Sequence, residues 1–121
     1  MGSRPAGPVA RLRILLGREI ALGPGKADLL EGIRETGSIA AAGRRMGMSY
    51  KRAWLLVETM HECFAKPLVE TAKGGKSGGG ARLTPFGEDV LARYRHMQRA
   101  TAQAIGSDMA ALKKVMRRPR K

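Results

Sequence analysis

Aromatic residues are scarce in this sequence: one Trp, two Tyr and two Phe make up 4% of the chain. A core must therefore be filled by Leu, Ile, Val, Met and Ala. Cys63 is the single cysteine, which excludes an internal disulfide and suits a reducing cytoplasm. His61 and Cys63 together are too few to complete a tetrahedral metal site, and read as ordinary helix residues. No Ser/His/Asp triad or paired-carboxylate site can be assembled either, so neither an enzyme nor a cofactor is expected. No apolar run approaches the ~20 residues of a membrane-spanning helix. The first ten residues lack the apolar stretch of a signal peptide, and Ala6 stands where an N-myristoylation start needs Ser or Thr. A membrane role finds no support.

Acidic residues are also few. Ten Asp and Glu face 23 Lys and Arg, a formal charge of +13. That balance favours a polyanionic partner, and with membranes set aside the candidate is nucleic acid. The 121 residues, 43% of them apolar, suffice for one domain with a modest core.

What is present divides into short segments. Arg11 to Leu16 and Glu19 to Leu22 flank Gly17-Arg18 and predict a β-hairpin closed before Gly23-Pro24-Gly25. Lys26 to Thr36 reads as a helix with Leu29, Leu30 and Ile33 on one face and Gly37 as its C-terminal cap. Ser38 is the expected N-cap of a second helix ending near Gly47, and Ser49 that of a third running toward Pro67. Leu68 to Ala72 and Ala81 to Thr84 are strand-like, with the Gly- and Lys-rich loop Lys73 to Gly80 between them. Thr84-Pro85 opens a long last helix that continues past Met109, with Gly106 as its weakest point. The expected division is a tail at 1–10, one domain at 11–116 and a basic tail at 117–121.

Three short helices, a two-stranded wing and a further helix are the order of a winged helix-turn-helix, a mainly α fold with a small β wing. The second and third helices would meet across Met46-Gly47-Met48, where Gly47 supplies a positive φ, and cross closely at Ala41 and Ala42. The polar first turn of the third helix, Ser49, Tyr50, Lys51 and Arg52, can then enter the major groove, while Ala53, Trp54, Leu56 and Val57 face the core. An αα-hairpin alone is common in many folds; the wing changes the balance. Its loop carries Lys73, Gly74, Gly75, Lys76, Ser77 and Gly78, and glycines let backbone amides approach phosphates that lysines neutralise. Gly75-Lys76-Ser77 resembles the end of a nucleotide-binding P-loop, but Glu70 occupies the place of the required first glycine and a strand follows instead of a helix. That reading is rejected.

The stretches Leu30 to Ala42, Met48 to Trp54 and Leu68 to Thr84 closely resemble the N-terminal domain of the ModE family of molybdate-responsive regulators. The resemblance covers roughly residues 11 to 105. It implies a dimeric domain binding double-stranded DNA, with Ser49, Tyr50, Lys51 and Arg52 at the reading helix. Lys73, Lys76 and the wing glycines Gly74, Gly75 and Gly78 would then lie along the phosphates or in the minor groove, with Ser38, Ser77 and Arg82 as further DNA-binding candidates. Full-length family members carry C-terminal molybdate-binding domains. None is seen before Lys121, so regulation without a ligand, or through a separate molybdate-sensing partner, is expected.

The last helix gives independent support for a homodimer. Val90, Tyr94, Met97, Thr101, Ile105, Met109 and Leu112 form a stripe at spacings of three and four, which a second copy would bury. The alternative is a helix folded back on its own domain. Two other functions stay open: a non-specific architectural DNA binder, and a protein-interaction module pairing with a full-length molybdate sensor.

Overall fold

The computed structural model describes residues 8–72 and 80–117. In chain order the elements are β1 (Ile14–Leu16), β2 (Glu19–Leu22), α1 (Pro24–Thr36), α2 (Ile39–Arg45), α3 (Tyr50–Cys63), β3 (Val69–Ala72), β4 (Gly80–Leu83) and α4 (Pro85–Val115). This is the winged helix-turn-helix order that the sequence predicts, mainly α with two small antiparallel hairpins, β1–β2 and β3–β4.

The boundaries follow local chemistry. Helix α1 starts two residues before the expected Lys26, because Pro24 occupies its first turn, where a missing N–H costs nothing. Its end is as expected: Gly37 takes a left-handed conformation (φ 73°) and donates its N–H to the Ile33 carbonyl. Helix α3 stops at Cys63, short of Pro67, with Phe64 already extended. The strand expected from Arg11 is confined to Ile14–Leu16, and β4 begins at Gly80, one residue inside the expected loop.

One core unites the elements. Leu22, Leu29, Leu30, Ile33, Ile39, Ala42, Ala53, Val57, Met60, Leu68, Leu83, Leu91 and Tyr94 are all buried together. As the composition required, aliphatic residues dominate it, with Tyr94 the single fully buried aromatic among the described residues. Lys26 is buried too, its ammonium donating to the Ile20 carbonyl, and burial lowers its pKa. That cation joins α1 to β2 and is not available to a partner.

The stripe on α4 requires a correction. Val90 and Tyr94, expected on a dimer surface, are 7% and 0% exposed within the domain's own core. The first turns of α4 lie over α1 and β4, so the helical periodicity there is satisfied at home. Beyond Arg95 the helix extends past the core: Met97 and Leu112 are exposed, and Thr101, Ile105 and Met109 are half-buried. Pro8 to Leu12 line a cavity of about 510 Å³ with Thr101, Ile105 and Met109. Helix α4 is continuous over its 31 residues, Gly106 included, a length of about 46 Å at 1.5 Å per residue.

Tyr94 also ties the chain's beginning to α4. Its hydroxyl donates to the Leu12 carbonyl at 2.6 Å, and burial raises its pKa, keeping the donor protonated. Tyr94→Phe should cost about 1 kcal/mol of stability, read from urea unfolding, with no change in fold. A variant as stable as the wild type would show that this hydrogen bond contributes nothing net.

Candidate nucleic-acid interface

Helices α2 and α3 are set against each other by a turn with its own bonds. The Gly43 carbonyl accepts the N–H groups of Met46 and Met48 at 3.0 and 2.9 Å, and Gly47 has the expected positive φ of 72°. Each helix start is capped as the sequence predicts. Ser38 Oγ accepts the Ala41 N–H at 3.0 Å, and Ser49 Oγ accepts the Arg52 N–H at 3.1 Å.

These caps fix which way α3 presents its side chains. Ala53, Val57 and Met60 are fully buried on one face. Trp54 is half-buried against the core, and Tyr50 meets its ring edge-on, with centroids 6.2 Å apart at 83°. Tyr50, Lys51 and Arg52 are exposed. The first turn of α3 is therefore outward-facing while its back is held by the core, the arrangement a reading helix needs.

Charge pairing separates the available cations from the occupied ones. Arg45 pairs with Glu35 at 2.8 Å, Arg93 with Asp89 at 2.9 Å, Arg34 with Glu88 at 3.2 Å, and Arg95 with Asp28 and Glu31 at 2.9 and 3.1 Å. Among the described residues, Lys51, Arg52 and Arg44 take part in no such pair. Arg44 lies in the last turn of α2, just ahead of the turn leading into α3; no sequence pattern marks it, and its exposed position beside the turn is visible only once α2 is built. Arg82, a sequence candidate, pairs across the wing with Glu70 at 2.7 Å while remaining 81% exposed. Such an exposed pair is worth about 0–1 kcal/mol and can be exchanged for a phosphate.

Strands β3 and β4 form the wing, with Val69 opposite Leu83 and Ala72 opposite Gly80. The candidates Lys73, Gly74, Gly75, Lys76, Ser77 and Gly78 lie outside the described residues. The base of the wing is pinned on two sides. The Ala81 N–H donates to the Gly37 carbonyl at 2.9 Å, and the Val69 N–H donates to Nε2 of His61 on α3 at 3.2 Å. Wing, α1–α2 turn and α3 are thus bonded to one another.

The His61 bond has a pH consequence. Burial lowers the His61 pKa below 6.5, with the nearby Glu58 opposing, and only the neutral ring can accept from Val69. The unfolded chain then takes up this proton before the folded one does. The stability is full above about pH 6.5 and falls as pH drops from there toward the folded pKa. Urea midpoints at about pH 7.5 and 5.5 should differ in that direction, and His61→Gln should shrink the difference. An unchanged difference in the variant would remove His61 as its source.

No grouping of three or more potential metal ligands occurs among the described residues, and none of their helices is long and apolar enough to cross a membrane. An outward basic first turn on the second helix of a helix-turn-helix, beside a two-stranded wing, defines the class: a winged helix-turn-helix protein. No family model matches the chain, but individual proteins do. It is 42% identical over 106 residues to the molybdenum-pterin-binding protein MopB of Rhodobacter capsulatus, a match covering 88% of this chain and 39% of that protein. It is 44% identical over 77 residues to the molybdenum transport protein ModE of Herbaspirillum seropedicae, covering 64% and 29%. Over 94 residues it is 37% identical to the transcriptional regulator ModE of Haemophilus influenzae, covering 78% and 37%. The chain is thus similar to proteins named ModE and MopB, and spans 29% to 39% of the length of these relatives.

Proposed function

We propose that this chain binds duplex DNA as a homodimer and acts in the cytoplasm as a sequence-specific transcription regulator of genes linked to molybdenum. The observation that carries the reading is the outward first turn of α3, where Lys51 and Arg52 form no ion pair among the described residues, on a helix whose opposite face is locked into the core. Lysine and arginine supply affinity by displacing counterions from phosphates, and the turn carrying Arg52 supplies discrimination between base edges. Transcriptional regulators among the relatives support the regulatory part, and their molybdenum names support the process regulated. Dimerisation rests on the exposed Met97, Leu112 and Val115 along the projecting half of α4, with Met116 exposed just past its end. Two-fold symmetry would place two α3 helices about one turn of DNA apart, ~34 Å, and so read a palindrome.

The test is selection of bound sequences from a random duplex pool, followed by affinity against salt. Recovery of one palindrome, preferred over random DNA by about 10³ or more, supports the proposal. Tight, salt-sensitive binding with no enriched sequence would replace it with an architectural role.

A further inference from the structure

We infer that Leu55 recognises the C5-methyl group of a thymine in the major groove, an assignment that rests on the reading of α3 as the reading helix. Leu55 is 53% exposed on α3. It lies four residues after Lys51 and three after Arg52, so all three share the outward face of the helix. The buried residues around it, Ala53 and Val57, point the other way into the core.

The next position on this face, Thr59, turns its hydroxyl back to donate to the Leu55 carbonyl at 2.9 Å. That hydroxyl is spent on the backbone. One turn beyond its two cations, the face therefore offers the isobutyl group of Leu55, the acceptor-only carboxylate of the exposed Glu58 and a satisfied threonine, with no donor aimed outward. The major-groove edges of the bases present donors, acceptors and a single kind of apolar group, the thymine methyl. An exposed leucine brought to the groove by Lys51 and Arg52 would strand unpaired base-edge groups everywhere except against that methyl. The same group occurs on 5-methylcytosine; selection from an unmodified pool separates the two sources, since only thymine can supply it there.

The experiment replaces each thymine of the selected duplex, one at a time, by deoxyuridine, which removes the methyl and nothing else. Affinities are measured for the wild type and for Leu55→Ala, whose unchanged thermal midpoint would confirm that the exposed position leaves the fold intact. The expected result is one thymine per half-site at which uracil weakens the wild type about fourfold, the worth of one buried methyl, while Leu55→Ala binds both duplexes equally. Two results would overturn the assignment: a wild type indifferent to uracil at every position, or a loss that persists undiminished in Leu55→Ala. Failure of the wild type to select any sequence is a separate result, and would overturn the reading of α3 together with this assignment.

Discussion

Gly87→Ala should destabilise the domain by about 3 kcal/mol or more, at the upper end of what an added methyl costs in a packed interior. Gly87 lies in the first turn of α4, and a Cβ built there would fall 2.1 Å from the Leu68 carbonyl oxygen and 2.9 Å from its carbon. Both obstacles are backbone atoms, so no rotamer change relieves them. The segment around them is also tightly bonded. The Leu68 carbonyl accepts the Thr84 N–H at 2.9 Å, while Thr84 Oγ1 donates to the Pro67 carbonyl at 2.7 Å and accepts the Gly87 N–H at 2.9 Å. Relief would require moving α4 away from the base of the wing, which breaks these bonds and opens the core at Leu68. A domain of this size has about 5–15 kcal/mol in total, so the thermal midpoint should fall by about 10 °C or more. Gly106→Ala is the matched control. A Cβ there meets nothing within 4 Å, and alanine in mid-helix should add about 0.5–1 kcal/mol. Thermal unfolding of the three proteins side by side decides the matter. A Gly87→Ala midpoint equal to the wild type would refute the close approach of α4 to Leu68.

This contrast also shows what the sequence could and could not reveal. Caps are local, so Ser38, Ser49, Gly37 and Thr84-Pro85 marked the ends of helices that the structure places within a few residues. The outward basic turn of α3 was legible for the same reason: Ser49 starts α3, and helical periodicity then separates Lys51 and Arg52 from Ala53 and Val57. Gly87 gave no such signal. Its constraint comes from Leu68, distant in sequence, and a glycine in a first helical turn has no distinguishing pattern. The stripe on α4 failed differently. A 31-residue helix carries one apolar periodicity from end to end, and period alone does not say where the domain stops and a second surface begins. Val90 and Tyr94 fell on the inner side of that limit, and Leu91, fully part of the core, lay off the predicted stripe. Ion pairs were likewise invisible. Arg45 and Arg52 look alike in sequence, but only the fold puts Glu35 beside the first.

That difference between Arg45 and Arg52 sets the second large effect. Arg52→Ala should cost about 1–3 kcal/mol in binding to the selected duplex, roughly 5- to 150-fold, and much less in binding to scrambled DNA. The fold gives no reason for the variant to unfold. Arg52 is exposed and forms no ion pair among the described residues. Its contribution to the helix start is the backbone N–H that Ser49 Oγ accepts, which alanine retains along with high helix propensity. The loss should therefore appear in discrimination, because under the proposed function a guanidinium placed to pair with a guanine edge is replaced by a group that can pair with none. Arg45→Ala supplies the comparison: its guanidinium sits on α2, outside the first turn of α3, in an exposed pair with Glu35 at 2.8 Å, so its removal should leave discrimination nearly unchanged and at most weaken both duplexes together. Salt titration separates contact with a base from contact with a phosphate. For a base contact, the ratio of specific to random binding shrinks while the salt dependence of random binding stays nearly the same. For a phosphate contact, both duplexes weaken together and the slope falls by about one. The second pattern would move Arg52 off the base edges and leave Lys51, Tyr50 and Leu55 to carry the discrimination on α3.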